Sequence, residues 1–284
     1  MTILQAILLG LVQGLTEFLP ISSTAHLTLV GKLFHLVDAA HPETWTEYIA
    51  VIQLGTLTAV VVYFWKEIAG MLTGLVADTQ SGMVFKGFSK CRPDTRLALF
   101  VVLGSVPVAV IGLAFRHQIE GALTKSVPVI AGSMVGLAAI LFLAERFASQ
   151  RSDLNHIRWV DALVIGCAQA MALIPGASRS GTTITAGLFM GLKRETAARF
   201  SFLLSIPAVF ASGFLELKGI NAEVFTYGPW NLLIGTVVAG VSGYLAIAWL
   251  LKFLMKNSTM VFIFYRVVIG SLLFFLLWNN LITP

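Results

Sequence analysis

The sequence predicts an all-α polytopic membrane protein with six transmembrane helices and two re-entrant helical hairpins, arranged as an inverted-topology repeat. The chain of 284 residues is 57% hydrophobic and only 12% charged, whereas soluble globular proteins carry about 25% charged residues. Six apolar runs are long enough to span a bilayer, and two further apolar regions are broken in the middle by proline and polar residues. We expect a single integral membrane domain over residues 1–284.

The six spanning runs are recognised by length, because about 20 residues cross the hydrocarbon core of a bilayer. The last of them carries Arg266 in its interior. In chain order the runs are 48–65, 97–115, 127–144, 200–217, 230–251 and 259–282.

The two broken regions, 1–35 and 159–192, are interrupted at Pro20 and at Pro175. Each piece is short for a full span and suits a re-entrant hairpin, whose turn must be buried in protein or line a wet cavity. Two ordinary kinked helices are the alternative interpretation.

The distribution of Lys and Arg orients the helices, because basic residues accumulate in cytoplasmic loops. They are concentrated in the segments 66–96, 145–158, 193–199 and 252–256, and are sparse in 36–47, 116–126 and 218–229. The first hairpin therefore enters from outside and the second from the cytoplasm. We read the net charge of +5 through this distribution and predict no nucleic-acid partner.

Spacing along the chain also indicates an internal repeat. Gln13 and Gln169 are separated by nearly the same number of residues as Pro20 and Pro175, and Tyr48 and Phe200 follow at a similar distance. A hairpin followed by a spanning helix thus recurs in opposite orientation, roughly over 1–115 and 159–251. Inverted repeats of this kind place their sites near the membrane midplane. Chance similarity between apolar segments is the alternative.

The first polar motif, residues 13–26, reads QGLTEFLPISSTAH. Ionisable groups inside the membrane are costly and are functional candidates by default. Gln13 and Glu17 are four residues apart and share one helix face, and their oxygens suit a hard divalent cation such as Mg²⁺ or Ca²⁺. A protonated Glu17, or one paired with an arginine, is the alternative.

After Pro20, one of the hydroxyls of Ser22, Ser23 and Thr24 can cap a second half-helix, whose free N–H groups favour an anion. Ser23 and His26 are three residues apart on one face. A hydroxyl beside an imidazole can supply a nucleophile with its base, or a proton donor with its orienting group. Alternatively, His26 is a hydrogen-bonded core residue.

The second polar motif, residues 175–183, reads PGASRSGTT and has the features of an oxyanion-binding loop. Gly176 and Gly181 let the backbone approach a phosphate, and Arg179 offers a planar fork for two phosphate oxygens. Arg266 is a second such candidate; a structural role on backbone carbonyls, or on Glu17, is its alternative. The hydroxyl donors are Ser178, Ser180, Thr182 and Thr183.

Together, the two motifs resemble the signatures of the undecaprenyl-diphosphate phosphatase family, also called bacitracin-resistance proteins, and the resemblance runs over nearly the whole chain. It implies an enzyme of the bacterial cytoplasmic (inner) membrane with a site that faces the outer, periplasmic side. The implied reaction converts undecaprenyl diphosphate to undecaprenyl phosphate and inorganic phosphate for cell-envelope polymer synthesis. The implied partners are this polyprenyl diphosphate and membrane lipids, and a homodimer is compatible with the sequence.

Position by position, the resemblance implies three groups of site residues. Gln13 and Glu17 correspond to a metal-associated pair, and Ser23 and His26 to a catalytic hydroxyl and imidazole. The loop that binds the diphosphate corresponds to Ser178, Arg179 and Thr183, with Arg266 as a second basic residue. Gln13 replaces an acid that is often found there, and Ala25 replaces a common glycine. We expect Glu17, Ser23, His26 and Arg179 to be catalytic, and the substrate to be bound by Ser22, Thr24, Ser178, Ser180, Gly181, Thr183 and Arg266.

The residues leave three chemical routes open: attack on phosphorus by Ser23, attack by His26, or activation of water by His26. The rival function is transport, because inverted repeats and broken helices are also typical of transporters. A polyprenyl-phosphate flippase or an anion transporter is therefore the alternative function.

Overall fold

The computed structural model describes residues 1–36, 42–115, 126–218 and 222–282. These residues form eleven α-helices and no β-sheet. Much of the loops 36–47 and 116–126, with Asp38, Arg116 and Lys125, lies outside the described residues. In chain order the helices are α1 (Ile3–Phe18), α2 (Ser23–Leu33), α3 (Pro42–Tyr63), α4 (Trp65–Gln80), α5 (Pro93–Ala114), α6 (Val127–Phe147), α7 (Trp159–Ala170), α8 (Arg179–Phe189), α9 (Arg194–Lys218), α10 (Pro229–Leu254) and α11 (Met260–Trp278).

Six of these helices are long and apolar enough to cross a membrane, which confirms the predicted number within the described residues. They are α3, α5, α6, α9, α10 and α11. In α5 only 17% of the apolar window is buried inside the protein. Side chains such as Val110, which is 60% exposed, therefore face outward and need a hydrocarbon environment. The chain is a multi-pass membrane protein.

The helix α4 was not predicted, because the segment 66–96 was interpreted as a charged cytoplasmic loop. With 16 residues, α4 is short for a membrane span. Its charged residues do not prevent a helix, because Lys66 is exposed and the buried Asp78 pairs with Arg92 at 3.3 Å. The helix α9 begins at Arg194, six residues before the predicted span. Its first two turns carry charges that form ion pairs, as in the 2.5 Å contact between the half-buried Arg199 and Glu67.

The two broken regions fold into helix pairs of similar construction. The first pair is α1–α2 and the second is α7–α8; α1 has 16 residues and α7 has 12. The second helix of each pair has 11 residues and a serine N-cap with positive φ, 75° at Ser22 and 70° at Ser178. Each serine side chain accepts a hydrogen bond from a main-chain N–H three residues on. Positive φ is uncommon for serine, so the two turns share an unusual geometry.

Close glycine contacts fix the first helix of each pair against a spanning helix. A Cβ at Gly14 of α1 would lie 2.6 Å from the carbonyl oxygen of Ala239 in α10. A Cβ at Gly104 of α5 would lie 2.8 Å from the carbonyl oxygen of Ala162 in α7. Small residues let membrane helices approach this closely. The turns that follow α1 and α7 are therefore held by a rigid frame.

Candidate active site

The turns of the two helix pairs lie side by side, and a cavity of about 220 Å³ opens between them. Ser180 at the start of α8 donates a hydrogen bond to the carbonyl oxygen of Leu19, at 2.9 Å, and so joins the turns. Most of the polar lining comes from both pairs and from α3, whereas α5 and α9 supply mainly apolar residues such as Val108 and Val209. The polar side chains of the lining are Gln13, Glu17, Ser22, Ser23, Thr24, Gln53, Gln169, Ser178, Arg179 and Ser212.

Glu17 is the centre of this polar lining and is only 8% exposed. Its Oε1 accepts from Arg179 Nη2 at 2.8 Å and from Gln53 Nε2 at 3.2 Å. Its Oε2 accepts from Ser23 Oγ at 2.7 Å and from Gln13 Nε2 at 3.2 Å. The carboxylate therefore links the two motifs directly, and the arginine pairing given as its alternative is present.

Ser23 and His26 are not paired with each other, contrary to the prediction from their spacing. Ser23 donates to Glu17, whereas the His26 ring lies 2.7 Å from the Ser22 carbonyl oxygen through Nδ1 and 2.6 Å from the Tyr265 hydroxyl through Nε2. Because a carbonyl can only accept, Nδ1 carries the proton and Nε2 accepts from Tyr265. The ring also stacks on Tyr265, 5.6 Å between centroids, and does not belong to the cavity lining. The turn at Ser22 directs the two side chains to different neighbours.

Arg266 contacts main-chain carbonyls instead of the cavity. It is 1% exposed, and its guanidinium donates five hydrogen bonds of 3.0–3.3 Å. Two of the acceptors, Pro20 and Ala177, belong to different turns. Arg266 therefore makes the backbone-carbonyl contacts given as its alternative, and its contact with substrate stays a prediction. The five acceptors are the carbonyl oxygens of Pro20, Ser133, Met134, Gly176 and Ala177.

Three predicted members of the second motif support the loop and do not line the cavity. Ser180 bonds to the first turn, and Gly181 packs against Arg266, since a Cβ there would lie 2.9 Å from Nη1. Thr183 donates to the carbonyl oxygen of Arg179 at 2.7 Å. Apart from His26 and Arg266, the other predicted site residues do line the cavity; they are Gln13, Glu17, Ser22, Ser23, Thr24, Ser178 and Arg179.

Two amide side chains of the cavity lining were missed as site residues, Gln53 and Gln169. Gln53 bonds to Glu17 from the middle of the spanning helix α3. Gln169 is 1% exposed and also lines the cavity. A signal was present for each: Gln53 is an isolated amide in an apolar run, and Gln169 is the repeat partner of Gln13.

The predicted divalent cation can be compared with the donors present. No cluster of three His, Cys, Asp or Glu residues exists in the described part of the chain. The buried oxygen Oε1 of Gln13 has no hydrogen-bond partner, and Glu17 is the carboxylate beside it. One carboxylate and one amide oxygen form a partial oxygen set, which suits Mg²⁺ or Ca²⁺ when phosphate oxygens and waters complete the coordination. The residues fit the ion.

Comparison with known proteins gives a consistent family assignment. The family model described as bacitracin resistance protein BacA matches residues 6–272. An undecaprenyl-diphosphatase of Syntrophobacter fumaroxidans is 53% identical over 99% of this chain and 99% of its own length. The undecaprenyl-diphosphatase of Myxococcus xanthus is 48% identical over 100% of this chain and 92% of its own length. That of Chlorobaculum tepidum is 45% identical over 95% of each chain. The chain belongs to the bacitracin resistance protein family.

Proposed function

We propose that this protein is an undecaprenyl-diphosphate phosphatase, which hydrolyses the terminal phosphate of the lipid-carrier diphosphate and thereby confers bacitracin resistance. The observation that carries this proposal is the contact of Glu17 with both Ser23 and Arg179 in one cavity. It combines a hydroxyl nucleophile, a carboxylate and a cation, which are the groups that phosphoryl transfer requires. The apolar lining from α5 and α9 suits the polyprenyl end of such a substrate.

Arg179 is the group that binds the terminal phosphate. Its Nη2 holds Glu17, and its Nη1 has only a long 3.5 Å contact with the carbonyl oxygen of Ser205. The guanidinium is thus fixed at the cavity wall with donor capacity left for phosphate oxygens. The first N–H groups of α2 and α8, which have no acceptor within their helices, add further positive potential.

Ser23 is the nucleophile in the proposed reaction. Its Oγ attacks the terminal phosphorus, the bond from phosphorus to the bridging oxygen breaks, and undecaprenyl phosphate leaves. Glu17 accepts the Ser23 proton, because the two oxygens are already 2.7 Å apart. Water then attacks the phosphorus of the phosphoserine, and the bond from phosphorus to Ser23 Oγ breaks. The proton held by Glu17 passes to Ser23 Oγ, and inorganic phosphate leaves with both protons of the water. His26 is a less suitable nucleophile, since its Nε2 is occupied by Tyr265.

Gln13 and Glu17 would hold the divalent cation. When bound, such an ion neutralises charge on the diphosphate oxygens.

The phosphatase hypothesis and the transporter hypothesis differ in one measurable product, inorganic phosphate. Purified protein in detergent, given undecaprenyl diphosphate and either Mg²⁺ or Ca²⁺, should release inorganic phosphate. If neither ion supports release, the phosphatase assignment fails and the flippase or anion transporter becomes the better reading.

Substitution of Ser23 with alanine is expected to lower kcat by at least about a hundredfold, because the attacking atom is removed. In the wild-type protein, rapid quenching with substrate labelled in the terminal phosphate should trap label on Ser23. Ser105→Ala is the matched control: this hydroxyl donates to the Val101 carbonyl and lies outside the cavity lining. Retention of more than half of the wild-type rate by Ser23→Ala would exclude the serine route.

We further propose that the two helix pairs are re-entrant hairpins, related as inverted repeats over about 1–115 and 159–251 within one membrane domain. The short α1 and α7 and the matching caps at Ser22 and Ser178 support this arrangement. The basic segments then lie in the cytoplasm of a bacterial cell, and the cavity opens to the outer face of the cytoplasmic membrane. Assembly as a homodimer stays a prediction.

Orientation can be tested at Phe85, which is 84% exposed in the basic segment between α4 and α5. A cysteine placed there should react with a membrane-impermeant thiol reagent in inverted vesicles and stay unlabelled in intact cells. The parent for this experiment lacks the native Cys91 and Cys167. Labelling in intact cells alone would reverse the proposed topology.

A further inference from the structure

Gln169 is a buried amide without a hydrogen-bond partner. Its side chain is 1% exposed, and within the described part of the chain neither Nε2 nor Oε1 contacts a donor or acceptor. Burying a polar group unpaired destabilises a protein. A side chain of this kind that lines a cavity is explained when the cavity's ligand supplies the missing partner.

Comparison with Gln13 shows why no protein group satisfies Gln169. Gln13 precedes Glu17 by one helical turn and donates to it. At the same spacing after Gln169 the chain has Leu173, which also lines the cavity. The second helix pair therefore has the amide without the carboxylate, and its N–H groups stay free.

The chemical surroundings indicate what the free amide binds. Arg179 and Ser178, which stand at the start of α8, line the same cavity as Gln169. Arginine, hydroxyl and helix N-terminus all favour an anion with several oxygens. An amide N–H adds a donor to this set without adding charge.

We propose that Gln169 is a further substrate-binding residue, whose Nε2 donates a hydrogen bond to a phosphate oxygen of the diphosphate. This inference rests on the proposed phosphatase function for the identity of the ligand. It assigns a role to a residue outside both polar motifs. The second helix pair then binds the substrate through α7 as well as through α8.

The decisive variant is Gln169→Leu, measured on the purified full chain in detergent. Because the amide has no partner in the free protein, its loss should leave the melting temperature unchanged or raised. The value of kcat/KM for undecaprenyl diphosphate should fall at least about tenfold, as for loss of a hydrogen bond to a charged group. A structural role would instead lower the melting temperature together with the activity.

The variant Gln169→Glu distinguishes the effect of the hydrogen-bond donors from the effect of side-chain size. It keeps the size and the acceptor atoms but replaces the two N–H donors with negative charge, so kcat/KM should fall further than in Gln169→Leu. Tyr48→Phe is the matched control: the buried Tyr48 hydroxyl is also unpartnered but does not belong to the cavity lining. It should match or exceed wild-type stability and keep wild-type activity.

Three results would overturn the assignment: a kcat/KM for Gln169→Leu within twofold of wild type, a clear fall in its melting temperature, or wild-type activity in Gln169→Glu. A separate readout covers failure of the phosphatase proposal itself. If the wild-type protein releases no phosphate, inorganic pyrophosphate should still raise its melting temperature, and Gln169→Leu should lose that rise. If pyrophosphate does not stabilise the wild-type protein, or stabilises Gln169→Leu equally, Gln169 is not a phosphate ligand.

Discussion

Replacement of Glu17 with glutamine will lower the rate of phosphate release by at least about a hundredfold. The side chain keeps its size, so the cavity stays intact, but the proton acceptor for Ser23 is lost. The buried guanidinium of Arg179 also loses its counter-charge, and uncompensated buried charge is strongly unfavourable. The measurement is phosphate release from undecaprenyl diphosphate by purified protein, with kcat and KM determined separately.

Arg179→Ala will produce a loss of similar size, and the double variant will be little worse than either single one. Groups that act as one unit give non-additive losses, and the 2.8 Å contact makes Glu17 and Arg179 such a unit. Arg158→Ala is the control, because Arg158 pairs with Asp161 at 2.9 Å but is 68% exposed at the start of α7. More than a tenth of wild-type activity in Glu17→Gln, or additive losses in the double variant, would contradict this assignment.

The spanning helices could be predicted from the sequence because length and apolar content alone determine them. Their ends could not, since those depend on partners that are distant in the chain. The start of α9 at Arg194 illustrates this: Arg194 pairs with Glu145 of α6, and the local sequence contains no sign of that pairing. The helix α4 was missed for the converse reason, because a search for uncharged runs excludes a charged helix.

The meeting of the two motifs was also predictable, since intramembrane polar groups must find one another. Side-chain direction was not. The spacing of Ser23 and His26 places them on one helix face, but the turn at Ser22 and the hydroxyl of Tyr265 decide which neighbour each contacts. Ser180 and Thr183 were assigned to the substrate for the same reason, although each bonds to the protein. Motif membership thus identified the loop and did not distinguish its binding residues from its supporting ones.

Gln53 and Gln169 show a different limit of prediction from the sequence. Glutamine is uncharged, and one amide within a spanning helix attracts less attention than Glu17 does. The physical argument nevertheless applies to it, because an amide in hydrocarbon also requires partners. The bond of Gln53 to Glu17 meets that requirement from α3.

Arg266 yields the second large effect, and lysine is the informative replacement. Lysine preserves the positive charge, but its single ammonium group cannot reproduce the planar fork that reaches five carbonyl oxygens. Since the Pro20 and Ala177 carbonyls belong to different turns, the turns lose their shared anchor. We expect Arg266→Lys to lower both the melting temperature and kcat, the latter by about a hundredfold, as for a small misplacement of reacting groups.

The direct-contact hypothesis for Arg266 predicts another pattern. If its guanidinium bound phosphate, a lysine would retain the charge–charge attraction, and the main change would be a higher KM at wild-type melting temperature. Arg146→Lys serves as the conservative control, because Arg146 is exposed at the end of α6 and the exchange should be silent. Arg266 is 1% exposed and has acceptors on every guanidinium nitrogen. It therefore acts on the reaction through the positions of Glu17, Ser23 and Arg179, and only a joint fall of kcat and melting temperature is compatible with that role.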